Sequence, residues 1–175
     1  MTGTDSESHM VACQAPVCGS LEVIRWIGAS PARVMQAYSD RPLRSRWFRI
    51  PGRATAESHE LDFRSGGYER LDGETAVSGH PERLHYLSRF LEICVDKHIA
   101  LQYEFAVDGQ PRWASMVVIS LEASGHGTAL RHREHYALLH YSGDGAQDTA
   151  HLKGGVSLGL NGLAHAIDAS IELAR

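Results

Sequence analysis

The sequence predicts an α+β fold: a curved antiparallel sheet of seven strands wrapped around one long C-terminal helix, with two short helices after the first strand. From Ala54 onward, apolar residues alternate at period two, and Gly, Asp and Pro clusters recur at hairpin distance. The runs follow one another on short turns, which joins them as an antiparallel meander. Near Asp148 the period lengthens to three and four residues and holds to Leu173, as an amphipathic helix requires.

The elements follow in order. Leu21 to Ala29 carries Val23, Ile24, Trp26 and Ile27 and reads as the first strand. Ser30 stands where an N-cap belongs, with Pro31 at the first helical position, where its missing N–H costs nothing. Val34, Ala37 and Tyr38 give this helix its buried face. Asp40-Arg41-Pro42 ends it, and Leu43 to Phe48 reads as a second short helix. Strands are expected near 55–63, 67–77, 83–94, 98–107, 112–122 and 127–138. The turns between them include Arg64-Ser65-Gly66-Gly67, Ser78-Gly79-His80-Pro81 and Asp108-Gly109-Gln110-Pro111. The last helix places Leu152, Val156, Leu160, Leu163, Ile167 and Ile171 on one face. It also carries Gly154, Gly155, Gly159 and Gly162, each costing about 1 kcal/mol against alanine in a helix interior. Such glycines give close approach to the sheet, space for a ligand, or a bent first turn.

A chain of 175 residues, 43% hydrophobic and 22% charged, fits a single domain over residues 21–175 after a polar, disordered tail over 1–20. That tail has no basic start or apolar core of a secretory signal, and no stretch is long enough for a membrane span, so a cytoplasmic protein is expected. Cys13 and Cys18 have no second pair to complete a zinc site, and with Cys94 they are expected as free thiols, without metal or cofactor. A net charge of −4 argues against general binding to nucleic acid or anionic membrane. Arg41, Arg44, Arg46, Arg49 and Arg53 crowd Trp47 and Phe48, but Glu57, Glu60 and Asp62 stand close by. A solvated, partly paired surface is expected there. The protein is expected as a monomer or weak homodimer.

The penultimate element carries the chemistry. Alternation places Thr128, Leu130, His132, Glu134 and Tyr136 on the helix side and Arg131, Arg133 and His135 toward water. Neighbouring strands contribute Leu101, Tyr103 and Phe105, then Trp113, Ser115 and Val117. Together with Val156 and Gly159 these outline an apolar pocket with a few convergent polar groups. His132 beside Glu134 is either an acid–base couple or a hydrogen-bonded pair that fixes a ligand or the strand register. A metal on His132 and Glu134 would take a further ligand from His135, His140 or His151, of which His135 points the other way. Gly155-Val156-Ser157-Leu158-Gly159 matches a nucleophile-elbow pattern, but it lies within one helical periodicity and no parallel α/β pattern precedes it.

Four motifs in order resemble the SRPBCC superfamily, whose START and birch-pollen-allergen-like members share a helix-grip fold. They are Ala29-Ser30-Pro31-Ala32-Arg33-Val34 with Arg46-Trp47-Phe48, Leu61-Asp62-Phe63-Arg64-Ser65-Gly66-Gly67, Gly127-Thr128 with Glu134, and Gly155. The branch is the one related to the activator of a heat-shock chaperone's ATPase and to bacterial polyketide-cyclase-like proteins. The resemblance implies a ligand cavity between sheet and helix, with Trp47 near its mouth. His132, His135 and Tyr136 depart from the usual residues of that branch. The leading expectation is a binder of a hydrophobic, polyketide-like or aromatic small molecule, in biosynthesis, sequestration or antibiotic self-resistance. The alternative is a cyclase or dehydratase using His132, Glu134 and Tyr103. A third reading is a co-chaperone surface.

Overall fold

Ser30 and Asp40 organise the first turns of the chain. In the computed structural model, which describes residues 14–49, 55–77 and 80–172, Ser30 Oγ accepts from Arg33 N and opens α1 (Pro31–Ser39). Asp40 closes α1 through its own N–H and opens α2 (Arg41–Trp47) by accepting from Leu43 N at 2.9 Å. That shared cap explains why α2 starts two residues earlier than expected, since Pro42 is harmless in a first turn.

Before these helices lies β1 (Val17–Ile27). It begins four residues ahead of the expected Leu21, because Val17–Ser20 continue the ladder against residues 135–138. Pairing, not propensity, makes Cys18-Gly19-Ser20 a strand. After α2 come β2 (Thr55–Leu61), β3 (Tyr68–Val77), β4 (His80–Cys94), β5 (His98–Val107), β6 (Gln110–Ser124) and β7 (Gly127–Leu138). They form one antiparallel seven-stranded sheet in the order β1-β7-β6-β5-β4-β3-β2. The long helix α3 (Ala146–Glu172) follows. The α+β helix-grip architecture read from the sequence is the one present.

The β2–β3 turn needs both of its glycines. Gly66 has φ +80°, and a Cβ on Gly67 would collide with the Asp62 carbonyl. Asp108-Gly109 forms the expected turn, but the second halves of two expected turn segments, His80-Pro81 and Gln110-Pro111, are strand instead. Pro81 sits in β4 beyond the point where β4 pairs with β5, so its missing N–H faces no ladder on that side. Pro111 sits in β6 at a register shift between Phe105 and Ala106. Residues 1–13 of the expected tail, Cys13, Arg53 and the Ser78-Gly79 pair lie outside the described residues, as do the side chains of Glu57 and Ile171.

All three helices cover one face of the sheet. The main core joins Val34, Ala37 and Tyr38 of α1, Leu160, Leu163 and Ile167 of α3, and Ile99, Val117, Ile119 and Leu130 of the sheet. Two smaller clusters stand apart: Leu71 and Leu84 with Phe48, Tyr86 and Phe105, and Tyr136, Leu138 and Leu152 with Trp113. Register sets a polar row through them, because Glu69, Ser88, Tyr103, Ser115 and Tyr136 are cross-strand neighbours on the inner face.

Candidate functional site

The inner face of β7 presents a buried carboxyl group with a hydrogen-bond partner on each oxygen. Glu134 is 1% exposed. Tyr103 Oη donates to its Oε1 at 2.6 Å, and His132 Nε2 lies 3.0 Å from its Oε2. Trp113 Nε1 donates in turn to Tyr103 Oη at 3.0 Å. Burial pushes the Tyr103 phenol well above its ordinary pKa, and the Glu134 charge and hydrogen bond push it the same way. Tyr103 is therefore a neutral, fixed donor. The His132 side chain, 13% exposed, lies on the side of the network open to solvent.

An aromatic wall continues from this network. Phe105 stacks on Trp113 with ring centroids 4.4 Å apart, and Tyr86 lies 5.2 Å from Tyr103. Phe48 meets Tyr86 edge-on at 4.9 Å. Tyr86, Tyr103, Phe105 and Trp113 all retain partial exposure on this inner face. Across from the sheet, Val156 and Gly159 of α3 are also partly exposed, and a Cβ added to Gly159 would meet no atom within 4 Å. Ser115 is buried beside Tyr103 without a hydrogen bond of acceptable geometry.

The remaining expected pocket residues have packing positions. Leu101, Val117 and Leu130 are buried in the main core. Trp47 is buried between α1 and α3, its indole N–H donating to the Ala37 carbonyl at 3.0 Å and its backbone and Cβ facing Gly162. Gly162 thus serves close helix approach, whereas Gly159 leaves room. Ser157 lies within α3, and its hydroxyl donates to the Lys153 carbonyl.

Arg44 corrects the expectation of a solvated basic segment. It is 4% exposed and donates to both carboxylate oxygens of Glu69, at 2.8 and 2.6 Å. Its guanidinium lies 3.9 Å from the Phe48 ring centre and 4.2 Å from that of Trp47. Of the expected partners, Glu60 accepts from Tyr68 and Asp62 pairs with Arg64. Sequence reasoning missed Glu69, although its alternation with inward Leu71 was the available signal. A carboxylate on an inner face needs a cation. His59 completes the group, its Nε2 2.9 Å from Glu69 Oε1 and its Nδ1 2.9 Å from Ser45 Oγ.

The sheet carries a groove of about 990 Å³. Three consecutive residues from each of β4, β5, β6 and β7 line it, with Arg89, Gln102, Met116 and His135 on one rim, and no residue of α3 takes part. Tyr103, the donor to Glu134, is among its lining residues. Cys18 and Cys94 are free thiols. Among the described residues no group of three or more His, Cys, Asp or Glu could hold a metal ion, and no helix is long and apolar enough to cross a membrane.

Known structures share this architecture. An uncharacterized protein from Rhizobium leguminosarum is 26% identical, with a TM-score of 0.77 over 89% of this chain and 97% of that one. The Mll3558 protein from Rhizobium loti is 28% identical, with a TM-score of 0.71 over 87% and 99%. DynU16, a protein in the dynemicin biosynthetic locus, is 16% identical; it shares the fold with a TM-score of 0.61 over 86% of this chain and 48% of its own. No curated protein matches the chain in sequence. Residues 28–172 match the family described as Activator of Hsp90 ATPase homolog 1-like protein, and the chain belongs to that family.

Proposed function

We propose that the protein binds an aromatic, polyketide-like small molecule on the inner face of the sheet, between the wall of Tyr86, Tyr103, Phe105 and Trp113 and the Val156–Gly159 flank of α3. Its role is in biosynthesis, sequestration or self-resistance. The observation that carries this reading is the aromatic wall itself. Its rings stay partly exposed on the face that the helices cover, and Gly159 of α3 has open space where a side chain would be. Exposed aromatic surface inside a concave site is what an apolar ligand covers. The fold shared with DynU16 of the dynemicin locus agrees with a place in small-molecule biosynthesis.

The hydrogen bonds among Tyr103, Glu134 and His132 favour a second reading, acid–base catalysis of a cyclisation or dehydration. Against it, both oxygens of Glu134 already have internal partners, Tyr103 Oη and His132 Nε2, so the group fixes the wall rather than waiting for a substrate proton.

Binding of 1-anilinonaphthalene-8-sulfonate tests the proposal. The folded protein should enhance its fluorescence, polycyclic aromatic compounds should displace it, and Trp113→Ala should weaken binding about tenfold, or about 1.4 kcal/mol. Unchanged affinity in a folded Trp113→Ala protein places the site elsewhere.

A further inference from the structure

Ser45 on α2, His59 on β2 and Glu69 on β3 form a hydrogen-bonded series separate from the Glu134 network. Ser45 Oγ lies 2.9 Å from His59 Nδ1, and His59 Nε2 lies 2.9 Å from Glu69 Oε1. Burial is graded along the series: Glu69 is fully buried, the His59 side chain is 9% exposed and Ser45 is exposed. A reacting hydroxyl is thus at the surface, and the charge that orients its base is inside.

Protonation follows from the partners. Burial alone would raise the Glu69 pKa, but the charge and two hydrogen bonds of Arg44, joined by His59, outweigh it and hold the carboxyl below its ordinary value. An ionised carboxylate only accepts, so His59 presents its Nε2 hydrogen to Glu69. In the neutral ring the lone pair is then on Nδ1, facing Ser45. The imidazole is turned end for end relative to the Ser-His-Asp template, but the roles depend on which nitrogen holds the hydrogen. The same hydroxyl also lies 2.9 Å from the Arg41 carbonyl, so its hydrogen has two acceptors and His59 is one of them.

We propose that Ser45 is a nucleophile, with His59 as its base and Glu69 as the orienting carboxylate, that accepts acyl groups from carboxylic esters with good leaving groups, such as aryl esters and thioesters. Ser45 Oγ attacks the carbonyl carbon as its proton passes to His59 Nδ1. The tetrahedral adduct then collapses, the bond to the leaving oxygen or sulfur breaks, and that atom takes the proton from His59. The products are an acyl-serine and an alcohol or thiol. Water attacking by the same path releases the acid. Arg41, Arg46 and Arg49 are exposed on the same short segment and favour substrates that carry negative charge.

A fluorophosphonate is the direct probe, since its phosphorus takes the serine oxygen as fluoride leaves. The full chain should gain the mass of one phosphonyl group, mapped to Ser45, and p-nitrophenyl acetate should release a burst of one equivalent of p-nitrophenol. Ser45→Ala, at an exposed position, should remove both signals. His59→Gln should slow labelling by about 100-fold, the lower range for a positioned base, with circular dichroism unchanged. Labelling scattered over several serines, or an unchanged rate in folded His59→Gln, overturns the proposal. Either result leaves the ligand-binding reading of the inner face untouched.

Discussion

Tyr103 Oη lies 2.6 Å from Glu134 Oε1, a bond that reaches from β5 to β7 across the strand between them. It passes over β6 between Ser115, the cross-strand neighbour of Tyr103, and Val117, the neighbour of Glu134. A sheet held by its backbone ladder gains from this a side-chain strut on the inner face. The strut also fixes the phenol against which Trp113 and Tyr86 rest.

Tyr103→Phe removes that strut and leaves a buried carboxylate oxygen without a donor. A hydrogen bond to a charged group contributes about 1.5–3 kcal/mol. Urea denaturation should show a stability loss in that range, with the slope of the transition unchanged.

His132→Gln and Glu134→Gln separate carrier from catalyst. Glutamine keeps hydrogen-bonding capacity and loses titration. For a carrier, each change should lower probe affinity about tenfold, or about 1.4 kcal/mol, in a folded protein. A compound consumed by the native chain and untouched by either variant, with binding intact, would replace the carrier reading with the catalytic one.

Four of the six tyrosines, Tyr38, Tyr68, Tyr86 and Tyr103, have phenols held above the ordinary pKa of 10.0. Burial is the first cause at Tyr38, Tyr86 and Tyr103, and a hydrogen bond to Glu60 at Tyr68. A raised folded pKa contributes stability that is full below pH 10.0 and lost as pH rises through the folded value. Ultraviolet titration of the native protein should therefore count fewer ionised tyrosines near pH 10 than the urea-unfolded chain, with the rest appearing on alkaline unfolding.

The parts of this molecule legible in sequence are those with short-range causes. Alternation in β7 contrasts Leu130 with Arg131 and Arg133, which suffices to turn His132 and Glu134 inward. Ser30-Pro31 announces α1 because capping is local chemistry. Cys18-Gly19-Ser20 gives no such signal, since β7 makes it a strand. Arg44 and Glu69 are 25 residues apart, and an arginine among arginines reads as solvated until α2 folds over β3. The division of labour between Gly159 and Gly162 is hidden for the same reason. Only the approach of Trp47 distinguishes one glycine from the other.

That ion pair and Asp72 predict a loss of stability in acid. Glu69 and Asp72 both have pKa values below their ordinary 4.5 and 3.8. Burial opposes the shift in each, but Arg44 outweighs it at Glu69, as do the hydrogen bonds from His85 and Arg70 at Asp72. Depressed carboxylates contribute stability that is present above the unfolded pKa and lost as pH falls through the folded one. The urea midpoint should hold from pH 7 toward 5 and decline below 4.5. Arg44→Met strands the buried carboxylate and should cost about 3–5 kcal/mol at pH 7. Adding Glu69→Leu should restore part of that loss and flatten the acid decline.

Gly159 offers the sharpest test of where the ligand lies. A helix-interior glycine with no atom within 4 Å of a new Cβ gains about 1 kcal/mol from alanine through propensity alone. Gly159→Ala should therefore raise the urea midpoint and barely alter probe binding. Gly159→Leu puts a large apolar side chain into that space. If the ligand occupies that space, Gly159→Leu should lower probe affinity more than tenfold while stability stays at or above that of the native chain. Full binding by a folded Gly159→Leu protein means that the space beside α3 is solvent, and that the wall binds its ligand elsewhere along the sheet.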